Sequence, residues 1–223
     1  MAAPSILGID FGTTNTAAAF FDAAGKLHFV KTTDRSYVLP SVVWYHSADK
    51  VVVGHAARPQ IVEDPTHTVF EGKRFLGRRF HSEFVTRNRE RFAYEIIAGP
   101  EGDCAARVFD RAIPFTEVAQ QIIKQMATLA AHLQGAPFKE CVLTVPVHAG
   151  LRQRSAMRKA ATRAGLKVRA MVNEPTAAAL YYANLRQPEQ TLLVFDFGGG
   201  TFDATLLSVQ NRQVRVLATG GDA

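Results

Sequence analysis

A chain of 223 residues with 47% apolar side chains can bury one large core or two small ones. It has no apolar run of ~20 residues, which argues against a helical membrane span. Its two cysteines, Cys104 and Cys141, are too few for a disulfide framework and fit a reducing cytoplasm. The charge of +6 raises nucleic-acid binding, but the basic residues cluster in Lys73–Arg91 and Arg152–Arg169, the second of which has no interleaved aromatic, so a solvated basic face is the preferred reading. Residues Met1 to Ser5 lack a charged n-region and a long apolar stretch, so no signal peptide is expected.

In chain order, Ser5 to Val30 reads as strand, glycine turn, strand, turn and third strand, with the first turn at Asp10-Phe11-Gly12-Thr13-Thr14-Asn15. Pro40–Tyr45 and Lys50–Gly54 read as short strands, Ala56–Val62 as a short helix, and Phe70–Gly77 as a mixed segment with weak helical signal. Phe92–Ile97 and Ala105–Phe109 read as a second strand pair. The clearest helix has Phe115, Val118, Ala119, Ile122, Ile123, Met126, Leu129, Ala130 and Leu133 on one face, with Thr116 as its expected N-cap and Gly135 and Pro137 ending it. Strand Cys141–Val145, helix Leu151–Ala164, strand Val168–Val172 and a helix opening at Asn173-Glu174-Pro175 then alternate, which predicts an α/β layer with parallel strands. Pro188-Glu189 marks the end of this half.

After it the opening pattern returns. Thr191–Phe195 leads into Asp196-Phe197-Gly198-Gly199-Gly200-Thr201-Phe202-Asp203, and Ala204–Val209 leads out, a shift of 186 residues from the first copy. An internal repeat constrains the whole fold; this one predicts two related lobes, each opening on a strand–turn–strand hairpin. Glycines let a ligand approach the backbone, successive N–H groups form an anion nest, and Thr13, Thr14 and Thr201 add hydroxyl donors. Asp10 and Asp196 beside such nests repel a phosphate unless a cation intervenes, which points to Mg²⁺ with a nucleotide's phosphate tail. The P-loop spacing at Gly72–Gly77 lacks its Lys-Ser/Thr ending, and Gly198-Gly199-Gly200 leads to Asp203 and a strand rather than to the last glycine and helix of a dinucleotide site.

These motifs, with Pro40-Ser41-Val42-Val43, Lys73-Arg74-Phe75-Leu76-Gly77-Arg78, Thr144-Val145-Pro146 and Asn173-Glu174-Pro175-Thr176-Ala177-Ala178-Ala179, resemble the nucleotide-binding domain of heat-shock protein 70 chaperones, from Ile6 to the last residue. The resemblance implies an α/β actin-like ATPase (ribonuclease H-like) lobe over residues 1–188, with a mixed five-stranded sheet and flanking helices, and the start of a second lobe over 189–223. It implies that Gly12, Thr13, Thr14 and Asn15 hold ATP phosphates from one side and Gly198, Gly199, Gly200 and Thr201 from the other. Asp10 and Asp196 would order Mg²⁺ through its waters and, with Asp203, could help hold K⁺. Lys73 and Glu174 would flank the attacking water, with Asp10, Asp196 and Thr201 completing the catalytic set. Peptide substrates would bind a domain outside this chain, and a J-domain co-chaperone and a nucleotide-exchange factor are the implied partners, with no nucleic acid and no membrane.

The chain departs from the family at Val147-His148-Ala149-Gly150-Leu151, where Ala-Tyr-Phe-Asn-Asp is usual, and at Ala170, where Arg is usual. Both put the communication with partners in question. A filament-forming actin-like ATPase and a sugar-kinase-type phosphotransferase are the alternatives. Because the base site would lie further along the second lobe, the chain alone is expected to be inactive, with its last strands mobile, folded back on the first lobe, or paired with a second copy.

Overall fold

The computed structural model describes residues 6–186, 189–199, 202–210 and 213–222. The core sheet contains β1 (Ile6–Phe11), β2 (Asn15–Phe21), β3 (Leu27–Phe29), β11 (Glu140–Val145) and β12 (Lys167–Asn173) in the order β12-β11-β1-β2-β3, with β4 (Leu39–Pro40) pairing β2 as a two-residue sixth strand. The strands β11 and β12 run parallel to each other and β11 runs parallel to β1, while β2 and β3 are antiparallel hairpin strands. The expected mixed five-stranded sheet is thus present, with a short addition.

A small unit is inserted between β4 and β11. It holds β5 (Val42–Tyr45), β6 (Val51–Val53) and β7 (Thr68–Phe70) in one sheet, and β8 (Ile96–Ala98), β9 (Cys104–Val108) and β10 (Arg111–Pro114) in another. The helix expected over Ala56–Val62 is split into a 3-10 turn at Gly54–Ala56 and α1 (Gln60–Glu63), with Pro59 as the N-cap of the second piece. A further helix, α2 (Glu83–Asn88), and strand β10 carried too little periodicity to be read from the sequence.

The long helix α3 (Phe115–Gln134) buries Phe115, Val118, Ala119, Ile122, Ile123, Met126 and Ala130. Leu133, expected on the same stripe, is half exposed. Thr116 is not the N-cap: Pro114 holds that position in extended conformation with no side-chain cap, because β10 runs straight into the helix, and Gly135 closes it in the left-handed conformation. The alternating strand β1 turns Leu7, Ile9 and Phe11 into this core, all at 2% exposure or less. Helix α4 (Leu151–Arg163) packs beside α3 and against β12.

Helix α5 (Glu174–Arg186) contacts β11 and β12 on one side and, on the other, the second sheet of β13 (Gln190–Phe197), β14 (Phe202–Gln210) and β15 (Gln213–Asp222). This sheet turns Thr205, Leu207 and Val209 inward. The other face of β13 carries Leu193, Phe195 and Phe197, exposed by 54%, 63% and 85%. These are the repeat equivalents of Leu7, Ile9 and Phe11. The last strands pack back toward the first sheet through α5.

Candidate functional site

The two Asp-bearing hairpin turns lie against each other. A Cβ built on Gly199 would overlap Thr14 Oγ1, and one on Gly12 would overlap the Asn15 carbonyl oxygen. Only glycine fits either place, and the two turns approach each other closely there. The first turn is braced from outside the hairpin: Ser41 Oγ donates to Gly12 O at 2.8 Å, Ser41 N donates to Thr14 O at 2.8 Å, and the Ser41 and Thr16 hydroxyls lie 3.0 Å apart. Gly200 and Thr201 lie outside the described residues. Gly198 and Gly199 are exposed at the end of β13, and Asn15 pairs with Pro40 of β4.

Lys73 reaches this place from the inserted unit. It sits in a 3-10 turn, Gly72–Arg74, that follows Glu71 in the left-handed conformation (φ 53°). Such a backbone costs on the order of 1–2 kcal/mol for a residue with a Cβ. Packing holds the turn in place: Gly72 lies under the Phe115 ring, where a Cβ would come within 3.0 Å, and Phe75 stacks on Phe115 at 5.2 Å. Tyr94, fully buried, donates its hydroxyl to Phe70 O at 2.6 Å. Burying each such ring contributes on the order of 2–3 kcal/mol.

The Lys73 ammonium donates to Glu174 Oε1 at 2.6 Å, joining residues 101 positions apart, with side-chain exposures of 10% and 16%. Glu174 opens α5 directly after β12, where Asn173 is held by Arg154 at 2.9 Å. Burial pushes the Glu174 carboxyl above the ordinary carboxylate range; the Lys73 charge and hydrogen bond pull it back in part, and Asp10 and Asp196 push it up further. Asp196 is likewise raised, first by burial and then by Asp10 and Asp203, with Lys73 opposing. Asp10 accepts a hydrogen bond from Thr144 Oγ1 at 2.6 Å, which holds one oxygen. Lys73, Glu174, Asp10, Asp196 and Asp203 therefore share one electrostatic neighbourhood. Glycine-lined turns beside a surplus of negative charge fit an anionic ligand that arrives with a cation. Among the described residues no three His, Cys, Asp or Glu side chains converge as direct metal ligands.

In the sequence Ser41 and Thr144 stand out only as motif members; their bracing roles emerge from the fold. The signal for Ser41 was its place directly after Pro40 opposite the turn. Cys104 and Cys141 are both buried and unpaired, and burial pushes their pKa values up to about 12 and about 11. No helix among the described residues is long and apolar enough to cross a membrane.

Fold and repeat define the class as an actin-like ATPase lobe joined to a second, related hairpin. Comparison with known proteins narrows this. The model of the Hsp70 protein family matches residues 6–223. The chain is 36% identical to the mitochondrial heat shock 70 kDa protein of Dictyostelium discoideum, over 97% of this chain and 33% of that protein. It is 38% identical to the chaperone protein DnaK of Thermus thermophilus and 35% identical to that of Psychrobacter cryohalolentis, in each case over 97% of this chain and 34% of the relative. The chain belongs to the Hsp70 family, and it spans about a third of the length of the curated relatives it matches.

Proposed function

We propose that this chain forms the phosphate-gripping part of a chaperone ATPase that hydrolyses Mg²⁺-ATP and couples hydrolysis to peptide binding elsewhere in the full-length protein. The observation that carries this reading is the Lys73–Glu174 pair, 2.6 Å apart, set beside two facing glycine turns. Phosphoryl transfer is mostly positioning and charge neutralisation. In this reading Gly12, Thr13, Thr14 and Asn15 bind the phosphates from one lobe (residues 1–188), and Gly198, Gly199, Gly200 and Thr201 from the other (189–223). The raised Glu174 carboxyl makes a stronger base than an ordinary carboxylate and orients or deprotonates the attacking water. Lys73 fixes Glu174 through its hydrogen bond and neutralises charge developing on the terminal phosphate. Bound Mg²⁺, held through water by Asp10 and Asp196, would neutralise phosphate charge; Asp203 would join them in holding K⁺.

Peptide substrates, a J-domain co-chaperone and an exchange factor belong to the same proposal, as does a cytoplasmic location suited to the two thiols. The residues at His148–Leu151 and Ala170 make weak stimulation by a generic J-domain the expectation. Single-turnover hydrolysis by the full-length protein, with excess alcohol present, tests the reading. ADP and inorganic phosphate as the sole products support it. Phosphorylated alcohol points to a kinase, and nucleotide-dependent pelleting to a filament protein; either result overturns it.

A further inference from the structure

His148 lies two residues after Pro146, in the loop between β11 and α4, and its ring is 61% exposed. It nevertheless points at the second sheet. Its Nε2 stands 3.5 Å from Thr219 Oγ1 on β15 and 3.9 Å from Asp203 Oδ1 on β14. The Asp203 carboxylate is well covered, at 16% exposure. Part of that cover comes from β15, which pairs Gly221 with Asp203; a Cβ on Gly221 would come within 2.6 Å of Asp203 Oδ1. Asp203 also faces Asp196, whose carboxyl it pushes upward. The imidazole therefore approaches the Asp203 end of the Asp10–Asp196–Asp203 group from the loop after Pro146. Both distances are longer than a good hydrogen bond, by about 0.5–1 Å. A small approach of the two sheets makes them short.

We propose that His148 is a positioning residue that bridges the two sheets: its Nε2–H donates to Asp203 with Thr219 sharing the bond, which holds the carboxylate in the cleft and ties its position to the loop after Pro146. A bond of this kind to a charged acceptor is worth more than a neutral one. It also gives the first sheet's loop a direct mechanical link to the second hairpin, separate from the glycine turns and from α5. The part of this inference that concerns nucleotide rests on the ATPase reading above; the bridge itself does not.

The test therefore has two arms. In nucleotide-free protein, amide hydrogen exchange is followed in His148→Phe and His148→Gln. The phenylalanine keeps the ring and loses the donor; the glutamine Nε2 can occupy the place of the imidazole Nε2. Exchange in residues 202–205 and 219–221 is expected to rise about tenfold in the Phe variant, the scale of one hydrogen bond, and to stay near wild type in the Gln variant. Equal protection in all three proteins, or equal loss in both variants, overturns the bridge. In the ATP arm, run on the full-length protein, the Phe variant raises KM about tenfold with kcat within about twofold of wild type, and Gln restores KM. An unchanged KM in the Phe variant overturns the link to the cleft. Failure of the wild type to bind ATP overturns the ATPase reading and leaves the exchange arm to decide the bridge.

Discussion

Gly199 of the second hairpin lies directly against the Thr14 hydroxyl of the first, with no room for a Cβ between them. The two turns thus meet across the cleft, and the missing side chain is what lets them meet. Gly199→Ala must displace Thr14, a side chain with few alternative rotamers. Gly12→Ala must displace the Asn15 backbone. Isothermal titration calorimetry should show ATP binding weakened about tenfold or more by the first change, and further by the second. Thr14→Gly added to Gly199→Ala should recover part of the loss that comes from the clash.

The Lys73–Glu174 pair joins the inserted unit to α5. Lys73→Ala or Glu174→Ala should lower hydrolysis in the full-length protein by about 10²-fold, the scale of general acid–base contributions, while ATP binding persists. Single-turnover kinetics checks this. Removing one partner also leaves the other charge poorly compensated, so Lys73→Met should lower the melting temperature more than Lys73→Met/Glu174→Gln does.

Asp196 shows a cost of function. Its pKa is raised by burial, Asp10 and Asp203, so the stability it contributes is full below the ordinary carboxylate value and is lost as pH rises through the raised value. Asp196→Asn should therefore melt higher than wild type at neutral pH without nucleotide. The gap should close on acidification. It should be less than about 4 °C, because the site is partly solvated and screened. A lower melting temperature for the variant at pH 7 would contradict the electrostatic argument.

Gly77 carries φ +71° and faces the start of α4, where a Cβ would come within 2.7 Å of the Arg152 carbonyl oxygen. Both the conformation and the contact exclude a side chain. Gly77→Ala should cost ~2 kcal/mol or more in chemical denaturation. Because Gly77 follows Lys73 by four residues, hydrolysis should fall with it.

The repeated hairpins, the parallel β11–β12 pair and the long α3 were legible because each carries a strong local pattern: a glycine turn between apolar runs, a buried-type strand ended by Pro146, a 3.6-residue stripe. The small inserted unit was legible only in part: β5, β6, β8 and β9 were expected as strands, whereas β7, α2 and β10 were not. Its strands are three to five residues long, and α2 has six, too short for periodicity to separate helix from strand. Thr116 misled because a hydroxyl near a helix start has no way to show that Pro114 already occupies the cap. At the site, the motif residues named Lys73 and Glu174, but their contact spans 101 positions and depends on Phe115 packing over Gly72, which no local pattern encodes. His148 was noticed as a substitution, and its approach to Thr219 and Asp203 depended on where α5 sets the second sheet.

The exposed face formed by Leu193, Phe195 and Phe197 has a colloidal consequence. The chain carries a formal charge of +6, so two molecules repel at long range while these apolar faces attract at contact. At low ionic strength the repulsion reaches ~30 Å and keeps the faces apart; near 1 M salt it reaches only ~3 Å. Added salt then strengthens self-association of this chain instead of loosening it, and light scattering should rise with sodium chloride. Phe195→Lys and Phe197→Glu leave the net charge at its original value, so this pair of changes separates the apolar contribution from the electrostatic one.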